Sequence, residues 1–361
     1  MKVRLLLRLV SILTLEVKMN NRHEKKPGKT EKICFFGASV TAQESGYAKV
    51  LSDKWKKSSR CYTFGYGGMY PDDAGICYID KVLEKHPDVC FIDWFSTDYN
   101  KCDENTIEYL DTIVYKFTRA ECKLVFLFMQ YRNNPDKKAF YDFCTRYLLE
   151  RKLFYIDIFS ETKDIPKDEL LRDNIHTTNY GSHIYANIIE RDYKSIKDKI
   201  VFPINIRETI YTKIKHIDVK REFFERIILK GKGEIIGFNL LVGKHSGIVY
   251  ISDGDRREVV NIWDKWCYYN RDHFRIKMDL DGEVSISISD EDFDTTICKV
   301  PVDVSNIKKK LIVHSIYYIG EDLKVMNLKE GKRICYLKYK APIWWRKCIG
   351  KMVKIIKGIK D

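Results

Sequence analysis

The sequence predicts a doubly wound α/β domain followed by an antiparallel β-sandwich, and three observations carry that expectation. Between Glu31 and about residue 200, continuous apolar runs alternate with longer stretches of helical spacing, as parallel strands covered on both faces require. After Pro203 the pattern changes to short strand-like runs parted by Gly/Asp turns, the rhythm of an antiparallel sandwich. The composition, 45% hydrophobic and 13% aromatic over 361 residues, supports globular folding and leaves room for two domains.

In chain order, the apolar runs are ICFFG (33–37), CYTFGYGG (61–68), VCFIDWFS (89–96), KLVFLFMQ (123–130) and LFYIDIF (153–159). Helical spacing fills 46–59, 71–86, 103–120, 136–151 and 178–198, so five β/α repeats place ligands beyond the carboxyl ends of the strands. The sandwich occupies about 215–330; in it Val284, Ile286 and Ile288 alternate with Ser285, Ser287 and Ser289, one buried face and one wet. Its aromatics Trp263, Trp266, Tyr268 and Tyr269 read either as core packing or as a sugar platform. The resulting divisions are a basic extension (1–30), the α/β domain (31–200), the β-rich domain (201–335) and a basic amphipathic helix (336–361).

The net charge of +13 belongs to the ends: residues 1–31 contribute +5 and residues 331–361 contribute +9, leaving the body near neutral. No nucleic-acid partner is expected of such a distribution. The final segment, 341–361, sets lysines against Ile and Val at helical spacing behind Trp344 and Trp345, and predicts contact with an anionic membrane surface or docking on the protein itself. The N-terminal segment is too charged to span a bilayer and lacks a small-residue cleavage site. It reads as a surface-lying helix or as residues ahead of a start at Met19. Eleven cysteines, scattered and often in apolar runs, suggest reduced thiols and a cytoplasmic chain, peripheral on the membrane at most, with no metal-ligand spacing.

Two stretches carry chemistry. Ser39 follows the first strand in ICFFGASVTAQ, where it is either a helix cap or a nucleophile at a strand end. Asp173 and His176 follow the fifth strand in LRDNIHTTNYGSH, and strand ends of one parallel sheet meet on one edge. A serine hydroxyl needs a base within reach, and a carboxylate fixes the base's tautomer. The tetrahedral oxygen needs preorganised donors, which the amides of Ser39 and Gly68 can offer.

These motifs resemble the SGNH (GDSL-type) hydrolase family over about residues 31–198. Gly37-Ala38-Ser39-Val40-Thr41 matches its Gly-Asp-Ser block, Gly68 its oxyanion-hole glycine with Asp73 at the usual spacing, and Asp173-Asn174-Ile175-His176 ahead of Gly181 its last block. The resemblance implies a flavodoxin-like three-layer α/β fold, Ser39 as nucleophile, His176 as base, Asp173 as its orienting partner, and no metal or cofactor. Two positions depart. Ala38 replaces the usual Asp, and Phe95-Ser96-Thr97-Asp98 stands where the family has Gly-x-Asn-Asp, so Thr97, or else Asn100, must complete the oxyanion hole. The implied activity is an acyl-ester hydrolase or acyltransferase; the β-rich domain, which could hold glycan, and the basic tail point to an O-acylated carbohydrate or surface-polysaccharide precursor as the substrate. The alternative is a catalytically weak or inactive relative that binds glycan or membrane.

Overall fold

The structure is a computed structural model that describes residues 30–254 and 256–327. The basic N-terminal extension and the amphipathic segment 336–361, with its expected membrane face, lie outside the described residues.

Five strands, β1 (Glu31–Gly37), β2 (Ser59–Gly65), β3 (Val89–Asp93), β4 (Lys123–Phe128) and β5 (Phe154–Asp157), pair in parallel in the order β2-β1-β3-β4-β5. This is the flavodoxin-like order, with its topological switch between β1 and β3. Helices α1 (Ser39–Ala42), α2 (Tyr47–Trp55), α3 (Ile79–Leu83), α4 (Glu104–Arg119) and α5 (Lys137–Glu150) follow the first four strands. Two short turns, α6 (Ile158–Glu161) and α7 (Lys167–Leu170), lead to the long α8 (Asn179–Ile196). One sheet face buries Phe35, Phe91 and Val125 against Tyr47, Leu51 and Trp55 of α2 and Tyr185 and Ile189 of α8. The other buries Phe36, Ile92 and Phe126 against Ile79, Ile113, Phe117, Phe140 and Leu148 of α3 to α5. Continuous apolar strands are therefore used on both faces, as their sequence requires.

Helix starts follow their polar caps. The Asp103 carboxylate accepts from the Thr106 amide at 2.8 Å, and the Thr178 hydroxyl accepts from Gly181 at 3.0 Å. The expected helix 71–86 is instead a π-helical turn over Pro71–Gly75 followed by the short α3. The buried Asp73 turns its carboxylate back to accept from the Tyr70 amide at 2.7 Å and from the Ala74 amide, which widens the turn. β2 stops at Gly65 rather than residue 68, and β5 at Asp157, whose carboxylate caps the turn that follows by accepting from Ser160 at 2.9 Å.

Residues 197–214 run back across the α/β domain. Arg207 pairs with the buried Asp111 at 3.0 Å, and the Thr209 and Thr112 hydroxyls meet at 2.7 Å. The β domain is one antiparallel sheet of eight strands: β6 (Lys215–Phe224), β7 (Arg226–Val242), β8 (Ile248–Ser252), β9 (Arg257–Asn261), β10 (Arg271–Arg275), β11 (Met278–Ile288), β12 (Leu311–Gly320) and β13 (Lys324–Asn327). The 17-residue β7 belongs to two halves: its first part pairs with β11 and β13, its second with β10 and β12. Leu229 from the first half and Phe238 and Leu240 from the second bury in one common core with Val284 and Ile286 of the expected alternation. Trp263 belongs to that core, against Phe293 at 5.3 Å, while Tyr269 is 45% exposed.

The two domains share apolar packing. Tyr78 of the α/β domain meets Phe274 of β10 at 5.3 Å and Tyr317 of β12 at 5.6 Å, all three buried. Lys277 adds a bond to the Asp72 carbonyl at 3.3 Å. β10 is thereby held against the loop that follows β2.

Candidate active site

Ser39 stands at the switch point, two residues beyond Gly37. Gly37 lies opposite Asp93 in the register, and a Cβ there would sit 2.3 Å from the Asp93 carbonyl, so only glycine lets β1 and β3 close at this end. The Ala38 amide donates to the same carbonyl at 3.0 Å, fixing the turn that presents Ser39. Ala38, not Ser39, is the N-cap of α1, and no side chain caps this helix. Ser39 therefore does not cap this helix with its side chain, and the residue is only partly buried.

Beneath the turn lies Asp93, fully buried. It accepts from the Thr41 hydroxyl at 2.8 Å, and Thr41 in turn accepts from Tyr47 at 2.7 Å. Burial pushes the Asp93 carboxyl up to about 7, against the lowering influence of the Ser96 and Thr41 hydroxyls and Lys137.

Asp173 and His176 are brought together. Nδ1 of His176 lies 2.8 Å from one Asp173 oxygen and 3.1 Å from the other, while the amides of Ile175 and His176 donate to Asp173 at 3.0 and 2.8 Å. Partial burial works against ionisation of Asp173, but these amides and the imidazole outweigh it and hold the carboxyl below its ordinary range. An ionised Asp173 requires the proton of neutral His176 on Nδ1, leaving Nε2 as the basic nitrogen.

Gln43, just beyond α1, fastens this loop to the serine turn. Its amide donates to the Thr177 carbonyl at 2.9 Å, and its oxygen accepts from the Thr177 amide at 3.1 Å and hydroxyl at 3.2 Å. The residue after His176 is therefore clamped four positions from Ser39. Gly181 completes the arrangement: a Cβ there would sit 2.1 Å from the Leu170 carbonyl, so the glycine lets α8 close against the segment leading to Asp173.

Of the glycines after β2, Gly67 approaches the serine. A Cβ on Gly67 would lie 4.0 Å from that of Ser39, and Gly68, at φ +72°, is exposed one residue on. Thr97 is buried, and its hydroxyl serves its own turn: it accepts from the Tyr99 amide at 3.2 Å and sits 3.4 Å from the Trp94 carbonyl. Asn100 Oδ1 is buried without a hydrogen-bond partner. Asp98 accepts from the Tyr131 hydroxyl.

Three contributors have no sequence motif. Gln43 is one. Lys137 is another: fully buried, it donates to the carbonyls of Phe95, Thr97 and Tyr99 at 3.0, 2.6 and 3.2 Å, and so holds the loop after β3. Burial pushes its ammonium down to about 8. The third is His273 of β10, whose Nε2 lies 3.6 Å from the place a Gly68 Cβ would take. An isolated basic or imidazole residue gives no hint of such long-range placement.

No protein-family model matches the chain, and no curated protein is similar to it in sequence. Solved structures are similar in shape. A two-domain esterase active on acetylated mannans aligns at TM-score 0.59 and 14% identity over 81% of this chain and 92% of its own. The same esterase co-crystallised with mannopentaose gives the same TM-score and identity. An acetyl xylan esterase aligns at 19% identity and TM-score 0.38 over 45% of this chain and 98% of its own. The α/β fold implied by the Gly-Ala-Ser and Asp-x-x-His motifs is the fold found, joined here to a β domain, and the alignment with the two-domain esterase covers most of both chains.

Proposed function

We propose that the chain is an SGNH-type esterase that removes acyl groups, acetyl first among them, from a carbohydrate through a Ser39 acyl-enzyme. The observation that carries this reading is the Gln43–Thr177 clamp, which ties the Asp173–His176 pair to the uncapped Ser39 turn. Nε2 of His176 takes the Ser39 proton as Oγ attacks the acyl carbonyl, and Asp173 stabilises the imidazolium. The amides of Ser39 and Gly68 receive the developing oxyanion. The Thr97 hydroxyl can join only by leaving the Trp94 carbonyl, where its 3.4 Å contact is weak.

Water is the favoured acceptor. The His176 and Asp173 side chains are 24% and 52% exposed, so solvent reaches the base that must activate it. The carbohydrate assignment draws support from the shape shared with an esterase active on acetylated mannans. Acetate release from acetylated mannan tests the reading. Wild type should release it, and Ser39→Ala should lose at least about 1,000-fold in kcat. Equal release by both proteins would sink the proposal.

A further inference from the structure

The β domain sends one polar strand face to the candidate active site. Arg271, His273 and Arg275 alternate along β10 and so share a side of it. His273 is buried, yet its ring edge reaches the exposed Gly68, the glycine assigned to the oxyanion. Its Nδ1 lies 2.8 Å from the Phe274 carbonyl. A carbonyl only accepts, so Nδ1 carries the proton and Nε2 presents a lone pair. Among the described residues no group donates to that nitrogen.

Burial, with Arg275 and Arg271 alongside, pushes the His273 imidazole down to about 4, so it is neutral near physiological pH. A neutral acceptor cannot donate to an oxyanion, which removes the obvious catalytic role. Two neighbouring donors, Nε of Arg275 and Nη1 of Arg271, are buried without a partner. Both arginines are fixed by Asp264, Arg275 at 3.1 Å. An acceptor nitrogen on a strand face that also carries pinned guanidinium donors suits a hydroxyl, which gives one hydrogen bond and takes others.

We infer that Nε2 of His273 accepts a hydrogen bond from a hydroxyl next to the scissile ester, so that the β domain selects polyol esters over simple ones. This rests on the esterase reading of Ser39. His273 is a specificity residue from the second domain, not a member of the proton relay. Discrimination of this kind arises because a site built to hydrogen-bond a hydroxyl loses that bond when the hydroxyl is missing.

The test compares trans-2-acetoxycyclohexanol with cyclohexyl acetate, which differ by one vicinal hydroxyl. Wild type should prefer the hydroxy ester in kcat/KM. His273→Phe keeps a ring but removes the acceptor, and should cut that preference at least about tenfold, mainly through KM. His273→Gln can place an amide oxygen near the Nε2 position and should keep the preference within about threefold of wild type. If the phenylalanine variant does not fold, the glutamine variant decides alone: loss of its preference contradicts the inference. Equal hydrolysis of both esters by wild type, or an unchanged preference in His273→Phe, also overturns it while leaving the Ser39 reading intact. Hydrolysis of neither ester by wild type would remove both.

Discussion

Asp93 shows how one side chain can tie the proposed site to solution conditions. It is fully buried under the Ser39 turn, and burial raises its carboxyl to about 7, whereas an unfolded aspartate titrates near pH 4. Between those values the folded chain holds a proton that the unfolded chain has shed, so this group makes stability fall as pH rises through the window. Asp73, also raised to about 7 by burial, works in the same direction. Asp93→Asn keeps an acceptor for Thr41 and removes the titration. Relative to wild type, the variant should gain at least about 1 kcal/mol in unfolding free energy between pH 5 and pH 7. Denaturant titrations at the two pH values check this; a parallel pH response of both proteins would contradict it.

At the scale of elements, the loop after β3 is organised by a residue that belongs to α5. The ammonium of Lys137 gathers three carbonyls of that loop, a task that a capping side chain within the loop could perform. Lys137→Met would leave those buried acceptors without their donor and should cost about 2–4 kcal/mol. Hydrogen exchange at residues 94–100 should rise with it. Unchanged stability and exchange would show that the loop holds itself. The strands and the longer helices were legible in the sequence because continuous apolar runs and helical spacing are local signals, whereas the flavodoxin-like arrangement of the sheet was expected only through the family resemblance. The turn at Pro71–Gly75 was not, because Asp73 reverses onto Tyr70 where periodicity alone suggests a continuing helix. Lys137 was equally hidden. Its partners lie about 40 residues away, and only the fold brings them together.

Across the whole molecule, the α/β sheet supplies the serine and the histidine from loops more than 130 residues apart in sequence, joined by one glutamine. Ser39, Asp173 and His176 could be singled out because each belongs to a short motif at a strand end. Gln43 and His273 could not, since neither sits in a pattern and each acts on a segment distant in the chain. The shared packing of Tyr78, Phe274 and Tyr317 joins the β domain to the α/β domain rather than leaving it a separate appendage. The central claim is that Ser39 is an activated nucleophile, and covalent labelling by a fluorophosphonate tests it most directly. Wild type should gain one adduct, mapped to Ser39 by peptide mass, with His176→Ala slowed at least about 100-fold and Ser39→Ala silent. An unlabelled wild type, or an adduct on another residue, would contradict the account.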